Sequence, residues 1–260
     1  MTLPTEPTQL PTRAPHWLTA GPQLLQLPDL FALEVGGEGL QLVLFQGKNI
    51  SHICFTPGWR GVVVFDQSPV QISVGSALCQ DGDISVLTKL QAFMDADCGL
   101  EMNHSMPNAR LVSCAGSGLA MLSDRRTIEN WFLSQMITEP EQMLAISALL
   151  RRLESYALVR FLLTERAEKK NLRELAQSYG ISYTHFRRLC NRALGGSVKF
   201  ELNQWRMARA LLDLVDSRCN FTEVALKHGY ASSSHFSNEV RGQVGVSPRG
   251  LSDIIKLAGK

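Results

Sequence analysis

The chain has 260 residues, of which 45% are hydrophobic and 19% are charged, and its formal net charge is +2. These values are typical of a globular protein of one or two domains. No run approaches the roughly 18 apolar residues of a membrane-spanning helix, and the first residues lack a basic segment followed by an apolar core. We therefore expect a cytoplasmic protein without a membrane span or a secretory signal.

Cysteine and histidine are spread in a way that argues against a metal site. No two cysteines have the spacing of a zinc site, and His16, His52 and His104 have no obvious ligand partner nearby in the sequence. We expect buried, reduced thiols, and neither a metal nor another cofactor. The cysteines are Cys54, Cys79, Cys98, Cys114, Cys190 and Cys219.

The small net charge conceals two halves of opposite sign. Residues 155–260 carry 17 Lys and Arg against 9 Asp and Glu, a net charge of +8. Residues 1–154 carry 9 against 15, a net charge of −6. A basic C-terminal half is typical of a protein that binds a polyanion such as DNA. The acidic half is a candidate surface for a protein partner.

The N-terminal part is predicted to be rich in β-strands. Residues 1–15 contain many prolines and threonines and are predicted to be a mobile tail. Short apolar runs then alternate with turn residues such as Gly36-Gly37, which favours a small barrel or sandwich. The predicted strands are Leu30–Val35, Leu40–Phe45, Ile50–Phe55, Gly61–Phe65 and Val70–Val74, with one more at Leu111–Ala115.

Helices are predicted after these strands. Ile84–Ala96 is an amphipathic helix with Val86, Leu87, Leu90 and Phe93 along one side. Residues 95–107 are predicted to be irregular. Three further helices are predicted over 123–137, 140–153 and 154–166. Their apolar faces are assigned to Trp131, Phe132, Met136, Leu144, Leu149 and Leu150.

A first helix-turn-helix unit is predicted at residues 172–195. Ala176 allows a second helix to cross closely, and Gly180 tolerates the positive φ of a tight turn. Ser182 is a good N-cap for a helix over about 183–192. Helical spacing directs Phe186, Leu189, Cys190 and Ala193 toward the core and leaves Thr184, Arg187, Arg188 and Asn191 outside.

A second unit repeats this plan. Ala225 precedes Gly229 as Ala176 precedes Gly180, and the two glycines are 49 residues apart (229 − 180). A helix is predicted over about 233–242. Its predicted core side is His235, Phe236 and Val240, and its predicted outer side is Ser233, Ser234, Ser237, Asn238 and Arg241.

A single helix connects the two units. Ser197 caps a predicted helix over 198–215, which is about 27 Å long. Two recognition helices held that far apart can enter successive major grooves, which recur about every 34 Å. Ser247-Pro248 begins a last predicted helix, whose inward residues are Leu251, Ile254, Ile255 and Leu257.

With these residues the chain resembles the AraC/XylS family of bacterial transcription activators over about 155–260. The shared features are the two Ala–Gly turns, Arg206 with Ala210 and Leu211-Leu212, His235-Phe236-Ser237 and Gly245-Val246-Ser247-Pro248. Residues 130–137, 182–196 and 205–208 resemble the AraC-like activators of invasion and type III secretion genes.

The resemblance implies a fold class and a function. It implies an α+β chain, with a small β-rich, degenerate cupin-like N-terminal domain before an all-α C-terminal domain with two helix-turn-helix units. We place the boundaries at 1–15 for the tail, 16–153 for a regulatory, partner-binding domain and 154–260 for the DNA-binding domain. The implied function is that of a transcription activator of virulence genes, not of an enzyme.

The resemblance also implies partners. They are double-stranded promoter DNA, RNA polymerase, and a tetratricopeptide-type secretion chaperone that acts as coactivator. Helices at 123–166 mediate dimer contacts in relatives, and ordinary packing against the barrel is the alternative here. No membrane partner is expected.

Arg187 and Arg188 are the first candidates for base reading. Arginine forms a bidentate pair with guanine O6 and N7, and it also binds phosphates. Adjacent residues point about 100° apart on a helix, so one arginine can read a base while the other holds the backbone. Thr184 can reach a thymine methyl or a base edge, and Asn191 lies on the same outer face.

The second unit is expected to contact mainly phosphates. Ser233, Ser234, Ser237 and Asn238 are short and uncharged, and Glu239 adds a negative charge near the DNA side. Relatives commonly have arginine at the position of Asn238 and an aromatic residue at that of Val240. Arg241 is the expected phosphate ligand. For Arg206, a phosphate contact and an ion pair within the domain are equal alternatives.

Two other functions are kept as alternatives. The first is an AraC-type regulator with a small-molecule effector inside the N-terminal barrel, although the strands are short and mostly aliphatic. The second is a DNA-repair enzyme with AraC-like units and a zinc-bound thiolate. That chemistry needs clustered cysteines, which the sequence lacks.

Overall fold

The structure is a computed structural model of the full chain. It describes residues 14–22, 24–25, 30–46, 49–65, 69–100, 111–116, 118–164, 170–216, 220–248 and 250. Nearly all of the predicted tail, Cys219, and the inward residues of the predicted last helix lie outside the described residues.

The N-terminal half forms one antiparallel sheet. Its strands are β1 His16–Thr19, β2 Leu24–Leu25, β3 Leu30–Gln46, β4 Asn49–Phe55, β5 Arg60–Phe65, β6 Val70–Asp81 and β7 Leu111–Ala115. Their order is β1-β6-β3-β5-β7, with β2 also on β6 and β4 also on β3. Residues 30–33 of β3 and 62–65 of β5 are buried on both faces of the sheet, which explains their continuous apolar runs.

One predicted turn is wrong. Gly36-Gly37 lies within β3, which runs unbroken and pairs with β6 on both sides of a register shift between Val35 and Leu40. The shift is a close crossing of two strands, because a Cβ on Gly75 would lie 1.9 Å from the carbonyl oxygen of Gly39. Glycines in a strand therefore mark a bulge here, and β6 likewise continues past Gly75 to Asp81.

The two faces of the sheet have separate cores. One face carries an apolar core, which we call the sheet interior. It includes Phe31, Leu33, Leu42, Phe65 and Ile72. The other face packs on helices through the sheet–helix core, which contains the following residues: Leu30, Ala32, Val62, Val64, Val86, Leu87, Cys114, Leu122, Ile128, Trp131, Phe132, Met143, Ile146, Leu149 and Leu150.

The helices follow in the order that the sequence predicts. They are α1 Ile84–Asp97, α2 Arg125–Thr138, α3 Pro140–Leu150, α4 Glu154–Thr164, α5 Leu172–Tyr179, α6 Tyr183–Leu194, α7 Val198–Asp216, α8 Phe221–Lys227 and α9 Ser233–Val244. A 3-10 turn at Leu119–Leu122 was not predicted. The predicted fold class, a β-rich N-terminal part before a helical part with two helix-turn-helix units, is confirmed. No helix among the described residues has the length and apolarity to cross a membrane.

α1 is buried on two sides, whereas the sequence predicts one. Val86 and Leu87 join the sheet–helix core, but Ala92 belongs to the core of the first helix-turn-helix unit, and Phe93 packs there too. Asp95, where the predicted helix and the predicted irregular segment overlap, lies within the helix and is buried. The prediction fails because a helix between two cores needs apolar residues on both faces.

Leu144 is a second correction on the helices. It was assigned to the apolar face of α3, but 66% of it is exposed. The buried residues of α3 are Met143 and 146–150, which leave Leu144 on the solvent side of the helix.

Candidate nucleic-acid interface

The first helix-turn-helix unit comprises α5 and α6. Asn171 and Glu174 form a capping box at the start of α5, since each side chain accepts a hydrogen bond from the other residue's backbone N–H. Gly180 ends α5 with φ of +84°, and its N–H donates to the carbonyl of Ala176. Ser182 then caps α6 by accepting from the N–H of His185. The predicted turn and cap are confirmed.

α6 has the two faces that its spacing predicts. Phe186, Leu189, Cys190 and Ala193 are buried in the unit-one core, with α4 and α5 around them. Burial raises the pKa of the Cys190 thiol to about 12, so this cysteine is protonated near neutral pH. The predicted contact residues Thr184, Arg187, Arg188 and Asn191 are all exposed. They form a polar face with two cations, which we call the unit-one face.

The second unit comprises α8 and α9 and repeats the construction. Asn220 and Glu223 form a capping box, 49 residues (220 − 171) after the box of unit one. Gly229 has φ of +76°, and the N–H of Tyr230 donates to the carbonyl of Ala225. Sequence analysis overlooked both boxes, although an Asn followed three residues later by Glu is a recognisable helix start.

The outer side of α9, which we call the unit-two face, carries less positive charge than the unit-one face. Phe236 and Val240 are fully buried, as predicted. Ser234, Asn238 and Arg241 are exposed, and Ser233 and Ser237 are half-buried. Arg241 is the only cation among the five residues predicted to face DNA from α9.

The prediction that His235 faces the core is wrong, because its side chain is exposed. It precedes Phe236 by one residue, about 100° around the helix, and the narrow buried stripe of Phe236 and Val240 does not reach it. Its ring lies edge-on to that of Tyr230, with centroids 5.6 Å apart. The equivalent His185 is half-buried, and its Nε2 lies 3.5 Å from Glu154 Oε1.

Arg206 lies between the connecting helix and the second unit. Its Nη2 donates to Glu239 Oε2 at 3.4 Å, and its guanidinium carbon lies 4.4 Å from the centroid of the Tyr230 ring. Burial and the Glu239 charge raise the pKa of Tyr230, and Arg206 opposes that shift. Of the two alternatives for Arg206, the structure contains the ion pair. The negative charge of Glu239 is thereby paired with a cation from α7.

A further polar link that sequence analysis missed joins α7 to α8. Asp213 Oδ2 accepts from Lys227 Nζ at 2.6 Å and lies 2.8 Å from His228 Nε2. The hydrogen bonds from Lys227 and His228 lower the pKa of Asp213. Residues 14 or more apart in sequence meet here, so no local pattern could have revealed the contact.

His16, Cys79 and Asp81 come together although the sequence offered His16 no obvious partner. His16 is directly opposite Cys79 in the β1–β6 ladder, and Asp81 is two residues along the same strand, so all three share one face. Their potential ligand atoms lie within 4.8 Å of one another. Burial and the nearby Asp81 charge raise the pKa of Cys79 to about 12, which disfavours a thiolate.

The comparisons with known proteins bear on this architecture. A sequence profile described as a helix-turn-helix domain matches residues 175–253, which include both units. The chain is 44% identical over 202 residues to Invasion protein InvF of Salmonella typhimurium, a match that covers 77% of this chain and 93% of InvF. The chain belongs to the AraC/XylS family. This AraC-family protein is therefore a transcription regulator with a DNA-binding domain, and the prediction that it is not an enzyme is confirmed.

Two further proteins resemble this AraC-family chain. Transcriptional regulator MxiE of Shigella flexneri is 34% identical over 181 residues, with 68% of this chain and 86% of MxiE covered. The structure of ToxT from Vibrio cholerae aligns with 92% of this chain and 96% of its own, at 12% identity and a TM-score of 0.37.

Proposed function

We propose that this AraC-family regulator activates virulence genes of the invasion or type III secretion class. Its action requires promoter DNA and RNA polymerase, so it takes place in the cytoplasm. The observation that carries the proposal is the pair of helix-turn-helix units with exposed polar faces, in a chain 44% identical to a protein named for invasion.

In this proposal unit one reads the sequence of the operator. Arg187 and Arg188 are neighbours on the unit-one face, so their side chains leave α6 about 100° apart. One reads a guanine edge and the other holds a phosphate. Thr184, near the start of α6, and Asn191, two turns later, extend the contact along the groove.

Unit two contributes mainly affinity. Its exposed face has serines, Asn238 and one cation, Arg241, which suits hydrogen bonds to the phosphate backbone more than bidentate base reading. Arg206 on α7 stabilises this unit through its ion pair with Glu239 and its contact with the Tyr230 ring. The connecting helix α7 has 19 residues and is about 28 Å long, which suits two units on one face of B-DNA.

Residues 154–260 form the DNA-binding domain in this proposal, and residues 16–153 receive a regulatory signal. The N-terminal half is acidic and exposes large apolar side chains, among them Ile137 at 81% and Leu144 at 66%. Exposed apolar groups on an acidic surface suit a protein partner. A tetratricopeptide-type secretion chaperone is the proposed coactivator, and the helices after β7 are the proposed dimer surface.

The alternative effector, a small molecule inside the sheet, has less support. Phe31, Leu33, Leu42 and Phe65 all point into the sheet interior and are fully buried. A specific ligand pocket needs polar groups that converge on it. Among the described strand residues, Gln80 is the one buried polar side chain, and it lies opposite Ala32 of the sheet–helix core, on the other face.

Promoter activation in a heterologous host, with and without a co-expressed secretion chaperone, tests the proposal. We expect activity only when both proteins are present. The double variant Arg187→Ala/Arg188→Ala is the control, and it should be inactive in both conditions. Full activity without the chaperone would contradict protein gating but not DNA recognition, whereas full activity of the double variant would contradict the proposed role of unit one.

A further inference from the structure

Helix α1 of the N-terminal half lies against the end of the unit-one recognition helix. Lys89 on α1 is only 6% exposed, and its Nζ donates a hydrogen bond to the carbonyl oxygen of Leu194 at 2.8 Å. Leu194 is the last residue of α6, and Gly195 ends the helix in the left-handed conformation. The last carbonyls of a helix lack partners within the helix and carry a partial negative charge, so a lysine here satisfies one of them.

The same segment of α1 also contacts the connecting helix. Lys89 Nζ lies 3.9 Å from Glu201 Oε2 on α7. One helical turn later, the rings of Phe93 and Trp205 meet edge to face with centroids 5.1 Å apart. Burial lowers the pKa of Lys89, and Glu201 opposes that shift. Burying a cation costs free energy unless the cation is hydrogen-bonded and paired with an opposite charge. Leu194 and Glu201 provide these two contacts for Lys89 at the junction of α6 and α7.

We propose that Lys89 is a positioning residue for DNA recognition. From the N-terminal half, it holds the end of α6 against α7 and so sets the angle at which the unit-one face meets the groove. The start of α6 is held separately, by Ser182 and the turn at Gly180. Ala193 and Leu194 pack this end of α6 into the unit-one core, and the Lys89 contact fixes its direction. Without that contact the end can shift, and a shift displaces Arg187 and Arg188 from the base edges.

The Lys89–Leu194 contact couples the N-terminal half to unit one. A partner that shifts α1 would alter the orientation of α6 first, and thus change base reading before it changes phosphate binding. This consequence rests on the proposed base reading by unit one.

The test compares full-length wild type with Lys89→Met, which removes the donor and the charge. Binding is measured on a promoter and on a panel of its single-base substitutions. We expect Lys89→Met to bind the native promoter about five- to tenfold more weakly. Its base preference should fall at the promoter positions where the preference of wild type depends on Arg187 or Arg188. Hydrogen exchange should quicken in the last turn of α6 and stay unchanged in α9. Lys89→Gln keeps a hydrogen-bond donor, so its affinity and base preference should lie between those of wild type and Lys89→Met.

Arg126→Met is the control for loss of one positive charge, because Arg126 is an exposed cation of the same half on α2. Its base preference should match that of wild type. Thermal unfolding monitors the fold of each variant, and if Lys89→Met does not fold, the same measurements on Lys89→Gln decide. Unchanged base preference and unchanged exchange in α6 would overturn the inference. A wild type that shows no base preference dependent on Arg187 or Arg188 would instead overturn the proposed function.

Discussion

Specific side chains of α6 account for the proposed base reading. Arg187 and Arg188 are both exposed and lie side by side on the outer face of unit one. A cation that only holds phosphate binds all sequences alike, whereas a bidentate arginine distinguishes guanine from other bases. The two roles therefore leave different signatures in a binding experiment.

We expect Arg187→Ala and Arg188→Ala to differ in kind. The variant that loses the base-reading arginine should lose about 1–3 kcal/mol on the native site and relax preference at one position. The other should bind all sequences more weakly and lower the salt slope by about one. Fluorescence anisotropy over a salt series and a base-substituted panel measures both effects. Asn238→Ala is the comparison from unit two, and a larger change in base preference there would reverse the proposed ranking of the units.

Among the helices, α1 connects the two halves through buried polar contacts. The Asp95 carboxylate accepts from Arg151 Nη2 at 2.7 Å, from Arg151 Nε at 2.8 Å and from the Tyr156 hydroxyl at 2.7 Å. Arg160 of α4 donates to the carbonyl oxygen of Leu100, just beyond α1, at 2.6 Å. Burial alone would raise the pKa of Asp95, but the hydrogen bonds, chiefly from Arg151, outweigh it and lower the pKa.

Asp95→Asn should therefore destabilise the protein in a way that depends on pH. Because Arg151 is partly exposed, we expect a loss of about 2 kcal/mol in the free energy of unfolding at pH 7, less than for a fully buried pair. A carboxyl with a lowered folded pKa contributes stability above its unfolded pKa of about 3.9. That contribution is lost as the pH falls through the lower folded pKa, so the gap between the two proteins should close below about pH 4.

Chemical denaturation at a series of pH values measures this gap. Asp97→Asn is the matched control, since Asp97 is an exposed carboxylate on the same helix, and its stability should follow that of wild type. A gap that stayed constant between pH 7 and pH 3 would show that Asp95 stabilises the junction by packing alone.

For the molecule as a whole, charge divides the chain into two halves of opposite sign. The net charge is +8 over residues 155–260 and −6 over residues 1–154. The charge of the basic half suits DNA, and the charge of the acidic half suits the proposed protein partner. Leu144 on α3 is among the most exposed large apolar residues of the acidic half.

We expect Leu144→Ser to weaken coactivation by the proposed chaperone and to improve the solubility of the chain expressed alone, because it removes an exposed apolar side chain. Promoter activity at several chaperone levels is the measurement. Leu212→Ser is the matched control, since Leu212 is 63% exposed on α7 in the basic half. Coactivation of Leu144→Ser at the wild-type level would place the chaperone contact elsewhere.

Local signals within the chain determined the two helix-turn-helix units. Gly180, Ser182 and the apolar spacing of Phe186 and Leu189 act over a few residues, and each is recognisable because one turn or one helical face explains it. The outward direction of the predicted contact residues on α6 follows from the same period. Family membership was also predicted, from the resemblance of the two Ala–Gly turns and of residues 245–248 to the family's motifs.

Only the tertiary structure decided what depends on distant partners. Gly36-Gly37 became a bulge because β6 pairs across it, and α1 was buried on both sides because it lies between two cores. The Lys89–Leu194 contact joins residues 105 positions apart, and the Arg206–Glu239 pair joins residues 33 apart. Hydrophobic periodicity reports which face of an element is buried, but it does not identify the element that buries it.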